Sequence, residues 1–145
     1  MNKKYLIIHG PNLKMLGNRE LNYYGTKTLE EINSEIQRQC EKYTIECEFF
    51  QSNHEGNIID KIEISTNLIT GIIINPGAFS HYSLAIRDAI QASCKPTIEV
   101  HMSNIYNREE FRKQSVIAPV CIGQITGFKE YSYFLAVTAL NEYIN

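Results

Sequence analysis

Tyr5-Leu-Ile-Ile-His9, closed at once by Gly10-Pro11-Asn12, is the stretch from which the rest of the chain is read. A short apolar run without alternation marks a strand buried on both faces, and such strands belong to parallel sheets covered by helices. Ile72-Ile-Ile74, stopped by Asn75-Pro-Gly77, has the same form. Between them Ile45, Cys47 and Phe49 alternate with Glu46 and Glu48, which predicts a strand with one charged face, nearer an edge. Thr97 to Val100 and Val116 to Val120 are read as the fourth and fifth strands. Helices separate them. Thr28-x-x-Glu31 forms a capping box, and Leu29, Ile32, Ile36, Cys40 and Tyr43 follow at three- and four-residue spacing. Further helices are expected over about 55–67, 82–93 and 131–143, with a short one around Arg108 to Arg112. Strands alternating with helices imply a doubly wound α/β fold, helices on both faces of a five-stranded parallel sheet in the flavodoxin-like order. Ligands in such sheets bind at the carboxyl ends of the strands.

The 145 residues suit one domain spanning 1–145, large enough to bury about 70% of the surface of its unfolded chain. With 14 basic and 16 acidic side chains the net charge is −2, which offers a polyanion no attraction, so no nucleic-acid partner is expected. The apolar run at Tyr5 to Ile8 is too short for a signal peptide or a membrane span, so a cytoplasmic protein without a membrane partner is expected. Cys40, Cys47, Cys94 and Cys121 lie too far apart for a zinc motif and are read as small buried hydrophobes.

The expected strand ends carry polar groups: Asn12 after the first, Ser52-Asn-His-Glu55 after the second, Asn75 to His81 after the third and His101 to Asn104 after the fourth. One asparagine is a turn residue or a cap; four such loops on the ligand-binding edge form a polar pocket. Glu99 and His101 share a strand face, because side chains alternate. They are either a buried structural pair or a carboxylate that orients an imidazole for acid–base work, and spacing does not choose between these. Gly10 to Lys27 reads as a long loop carrying Lys14, Arg19, Tyr23 and Tyr24, with the features of a lid. An arginine beside a tyrosine favours the phenolate and turns a poor base into a usable one. Two rival readings are weak. A non-enzymatic flavodoxin-like module would need an acidic pocket or a Ser/Thr/Gly-rich phosphate loop where Gly10-Pro-Asn12 stands, and a Ser80–His81 hydrolase would lack the Gly-x-Ser-x-Gly elbow.

Gly10-Pro-Asn-Leu13, Leu16-Gly-Asn-Arg-Glu20, Tyr24-Gly25, Gln51-Ser-Asn-His-Glu-Gly56, Asn75-Pro-Gly-Ala-Phe-Ser-His81, Ile98-Glu-Val-His-Met-Ser-Asn104, Arg108-Glu-Glu-Phe-Arg112 and Gly123-Gln-Ile-Thr-Gly127 run in order over nearly the whole chain. As an ordered set they resemble the type II 3-dehydroquinate dehydratases. The resemblance implies dehydration of 3-dehydroquinate to 3-dehydroshikimate, a step toward aromatic amino acids, by anti elimination through an enolate and without metal, Schiff base or cofactor. It makes Tyr24 the base, supported by Arg19 and Arg108. It makes His101, held by Glu99, the general acid, and Asn12 the residue that places a water on the enolate oxygen. Asn75, His81, Arg112 and the Met102-Ser103 segment are similar to the groups that bind the substrate. Asp88 is similar to a residue contributed by a neighbouring subunit, in a homododecamer built as a tetramer of trimers. Leu21, Lys14, Lys129 and Ser132 depart from the residues usual in the family, the first where proline is common and the last two where glycines are.

Overall fold

A computed structural model describes residues 2–145. Five strands, β1 (Lys3–His9), β2 (Ile45–Gln51), β3 (Gly71–Asn75), β4 (Thr97–His101) and β5 (Gly123–Thr126), form one parallel sheet in the order β2-β1-β3-β4-β5. The helices are α1 (Leu21–Tyr24), α2 (Leu29–Lys42), α3 (Glu55–Ser65), α4 (Leu84–Ser93) and α5 (Tyr131–Ile144).

The unbroken apolar runs are explained by two cores. Tyr5 and Ile7 of β1, with Ile73 of β3 and Val100 of β4, pack against Ile32 and Ile36 of α2 and Tyr133, Val137 and Leu140 of α5. Leu6 and Ile8, with Ile72 and Ile74, pack on the other side against Ile58 and Ile62 of α3 and Ile86 and Ile90 of α4. A strand apolar at every position therefore feeds both layers. β2 lies at the edge, where Glu48 meets Lys4 and Lys61.

The caps follow the sequence closely. Thr28 Oγ1 accepts from the Glu31 N–H at 3.2 Å, while the Thr28 N–H donates to Glu31 Oε1 at 3.2 Å, completing the box at the start of α2. The fourth helix begins at Leu84 rather than Tyr82, because Ser83 Oγ accepts from the Ile86 N–H at 3.1 Å and caps it there. α3 ends at Ser65, where the chain tightens into a 3-10 turn over Thr66–Leu68.

Four expectations need correction. The fifth strand is Gly123–Thr126, not Val116 to Val120. The earlier stretch is a turn over Ala118–Val120 in which Pro119 has no N–H to give a ladder. The true strand is an edge strand, short, half-exposed and polar at Gln124 and Thr126, so its apolar signal is faint. The segment around Arg108 to Arg112 is not an α-helix but 3-10 turns at Ile105–Asn107 and Glu110–Lys113. The loop from Gly10 to Lys27 contains a 3-10 turn at Leu13–Met15 and the single helical turn α1. Finally, Cys94 is exposed at the end of α4 and Cys47 and Cys121 are half-buried, leaving Cys40 as the one cysteine that is a fully buried hydrophobe.

The two departures after Phe128 lie in one turn. Lys129 has a φ of 53°, a left-handed conformation natural to glycine, and its N–H donates to the Met102 carbonyl at 2.9 Å. Ser132 is buried, and its hydroxyl accepts from the Phe128 N–H at 3.1 Å.

Candidate active site

In the order 2-1-3-4-5 the chain reverses its direction of winding between β1 and β3, and the loops leaving those strands diverge there. A cleft of about 580 Å³, counting its open mouth, lies at that point. Asn12 after β1, Asn75 at the end of β3 and His101 at the end of β4 line it. Arg19 and Tyr24 come from the expected lid, His81 from the turn after β3, and Met102, Ser103, Arg108 and Arg112 from the stretch after β4. The main chain at Asn12 is unusual: its φ of 68° and ψ of −3° are left-handed, a conformation that asparagine tolerates better than most residues.

Tyr24 is nearly buried, and its phenolic oxygen accepts from two guanidinium groups, Arg19 Nη2 at 3.2 Å and Arg108 Nη1 at 2.9 Å. The Arg19 guanidinium carbon also lies 4.2 Å from the centre of the Tyr24 ring, and that of Arg108 lies 4.1 Å from the Tyr23 ring. Both donors on this one oxygen are cationic. Burial works against the charge on Arg108, but its bond to Tyr24 and the nearby Tyr24, Glu20 and Glu109 outweigh that and raise it above the ordinary guanidinium value. Arg108 also donates to Ser103 Oγ at 3.2 Å and to Glu20 Oε2 at 3.4 Å. Glu20 thus ties the stretch from Gly10 to Lys27 to the segment after β4.

The Glu99–His101 pair forms as the alternation of the strand predicts, with His101 Nε2 2.6 Å from Glu99 Oε2. This nitrogen carries the hydrogen, since a carboxylate only accepts, and Nδ1 is left for the cleft. Glu99 is fully buried, and burial pushes its carboxyl upward. The bond and charge of His101, with donors from Ser115 Oγ at 2.7 Å and Gln124 Nε2 at 2.6 Å, more than reverse this and hold it below the ordinary carboxylate value. Ser115 and Gln124 were not legible as site residues. No periodicity marks them, and Gln124 faces Glu99 only because β5 pairs with β4 at that register.

His81 Nδ1 donates to the Gln114 carbonyl at 2.8 Å, and the Ser80 hydroxyl donates to the Gly77 carbonyl at 2.9 Å. The imidazole nitrogen beside Ser80 is therefore a donor and cannot take its proton, which removes the Ser–His hydrolase reading. Asp88 is exposed on α4 and does not line this chain's cleft, and His54 does not line it either. Among the described residues no group of three His, Cys, Asp or Glu side chains is placed to hold a metal ion.

The arrangement can take a proton at Tyr24, give one at His101 and hold an anion between Arg19, Arg108 and Arg112. Comparison with known proteins meets the same constellation of segments. The family model described as Dehydroquinase class II matches residues 3–141. A 3-dehydroquinate dehydratase from Caldicellulosiruptor bescii is 56% identical over 144 residues, covering 99% of each chain, and one from Bacillus mycoides is 54% identical over 140 residues, covering 97% of this chain and 96% of the relative. The crystal structure of type II dehydroquinase from Butyrivibrio crossotus superposes with a TM-score of 0.94 at 50% identity, over 97% of this chain and 98% of that one. The match takes in every strand of the sheet and every segment that lines the cleft, so the chain belongs to the class II dehydroquinase family.

Proposed function

We propose that this protein dehydrates 3-dehydroquinate to 3-dehydroshikimate, in the cytoplasm, on the route to aromatic amino acids. The observation that carries the reading is the Tyr24 oxygen held under two guanidinium donors at 3.2 and 2.9 Å. As phenolate, Tyr24 takes the proton on the carbon next to the substrate carbonyl, and the electron pair of that C–H bond moves onto the carbonyl oxygen as an enolate. Asn12 positions a water that stabilises this oxygen. The enolate then reforms the carbonyl, the new carbon–carbon double bond forms, and the hydroxyl at the adjacent carbon leaves. His101 acts here as the imidazolium: Nδ1 gives the hydroxyl its proton, so that it departs as water, while the Nε2 N–H stays hydrogen-bonded to Glu99 and a neutral ring remains. Base and acid come from separate elements, the lid and β4, which suits an anti elimination. Arg112 takes the substrate carboxylate, and Asn75, His81 and the Met102-Ser103 main chain take the ring hydroxyls.

Asp88, which does not line its own cleft, completes a neighbour's site in a homododecamer of four trimers. No helix among the described residues is long and apolar enough to cross a membrane.

The test is to add 3-dehydroquinate to the purified protein and follow the absorbance of the conjugated enone. Wild type should produce it, Tyr24→Phe should lose nearly all turnover while melting as wild type does, and Tyr23→Phe should keep most. No absorbance change with folded wild type would sink the assignment, and the reverse pattern of the two variants would move the base to Tyr23.

A further inference from the structure

Beneath the cleft, on the α2–α5 side of the sheet, three polar side chains lie among the aliphatic core: His9 and Tyr133 are fully buried and Asn75 is 3% exposed. Their hydrogen bonds run in one direction. The Gly77 N–H can only donate, so the group it meets at 3.2 Å is Asn75 Oδ1. That puts Asn75 Nδ2 toward Tyr133, to whose oxygen it donates at 2.9 Å. Tyr133 is fully buried, its hydroxyl hydrogen needs an acceptor, and Asn75 Nδ2 can only donate, so the hydrogen goes to His9 Nδ1 at 2.9 Å. His9 Nδ1 is therefore bare, and Nε2 carries the hydrogen and donates to Asn33 Oδ1 at 2.7 Å. One rigid main-chain donor thus orders every group in a series that crosses β3, α5, β1 and α2.

We infer that Tyr133 and His9 are positioning residues for Asn75, holding its amide in the cleft through this one-way chain of buried hydrogen bonds. The inference rests on the dehydratase reading of the cleft. An apolar trio of the same volume would pack this core without three polar groups to desolvate. What the polar groups provide appears at the open end of the chain. Asn75 uses one Nδ2 hydrogen and one Oδ1 lone pair on Tyr133 and Gly77, so one donor and one acceptor remain. A ring hydroxyl, which donates and accepts, fits that pair. The chain persists only while His9 is neutral, because a proton on Nδ1 would oppose the Tyr133 hydrogen. Burial favours the neutral form, pushing His9 down to about 4 and Tyr133 up.

A double-mutant cycle on kcat/KM for 3-dehydroquinate tests this. Tyr133→Phe, which keeps the ring, should lower kcat/KM by about threefold to tenfold, mostly through KM, the scale of one lost hydrogen bond. Asn75→Ala should lower it further, and the double variant should match Asn75→Ala. His9→Leu should behave as Tyr133→Phe does. His9→Asn, whose Oδ1 falls near the place of Nδ1, should restore most of the loss, and this pair answers the same question should Tyr133→Phe fold poorly. A Tyr133→Phe effect that is equal in both backgrounds, or absent in the first, or a His9→Asn variant no better than His9→Leu, would overturn the inference. Crystals of Tyr133→Phe should show Asn75 displaced from the Gly77 N–H, and an unmoved amide would also count against it. This readout needs no turnover. A wild type inert toward 3-dehydroquinate would therefore cost the activity and leave the chain of bonds still open to test.

Discussion

The Glu99 carboxylate is where the strongest opposing effects on a single side chain meet. Burial in the middle of β4 opposes its charge, while the His101 ring and two further donors, Ser115 and Gln124, favour it and prevail. A carboxyl held below its ordinary value contributes in the ionised form above that value, and its contribution is lost as pH falls through the folded value. Removing a donor raises the folded value, so the loss begins at higher pH. Gln124→Met, similar in shape and without the N–H groups, removes one donor from Oε2 and leaves Ser115 and His101 in place. The acidic limb of its kcat/KM profile should move to higher pH relative to wild type, with the rate near neutrality reduced much less. The substrate carboxylate titrates equally for both enzymes and cancels in the comparison. A loss by the same factor at every pH would mean that Gln124 only packs β5 against β4.

Among the elements, the junction of β1 with β3 governs the cleft most directly. The Gly10 N–H donates to the Asn75 carbonyl at 2.7 Å, and a Cβ at Gly10 would lie 2.6 Å from the Pro76 carbonyl oxygen. Main chain meets main chain there, so no flexible side chain can yield. The strands lead on into Pro11 and Asn12 on one side and Pro76 and Gly77 on the other, and Pro11, Asn12 and Gly77 line the cleft, so whatever parts the strands also moves the cleft wall. Gly10→Ala should cost about 1–3 kcal/mol in chemical denaturation, the scale of an overpacked site, and lower kcat/KM by more than tenfold. Gly56→Ala is the control. Its Cβ would meet nothing within 4 Å, and in the first turn of α3 it should be neutral or stabilising by up to about 1 kcal/mol. If Gly10→Ala is as harmless as Gly56→Ala, the junction is not what sets the cleft.

For the whole molecule, the surface carries a sign of association. Phe128, Tyr131 and Leu135, each about half-exposed or more, line one apolar depression beside the start of α5. Light scattering should give a multimer of the 16.7 kDa chain. Asp88→Ala should lose activity although Asp88 lies outside its own cleft. Unfolding Asp88→Ala and Tyr24→Phe chains together and refolding them should recover activity that neither has alone, because a Tyr24→Phe subunit still offers Asp88 to its neighbour. Random one-to-one mixing in a cyclic arrangement should return about a quarter of the wild-type rate. A fully active monomer, or no recovery on mixing, would end the shared-site reading.

Periodicity, caps and turn residues act over a few neighbours, and what they govern could be read from the chain alone. The continuous runs at Tyr5 to Ile8 and Ile72 to Ile74 meant strands with a helix layer on each side, Thr28 and Glu31 meant the start of α2, and Glu99 with His101 meant two side chains on one face. The ordered motifs added the family and most of the cleft residues. Tertiary structure decided the rest. β5 is Gly123–Thr126 because that stretch finds β4 in register, although Val116 to Val120 is more apolar. Ser115 and Gln124 serve Glu99, Arg108 reaches Tyr24 across 84 positions of sequence, and Tyr133 reaches His9 across 124. No local pattern encodes such pairs. A buried donor or acceptor is satisfied by whichever group packing brings within 3 Å, and the sheet and its helices settle that only once they have closed.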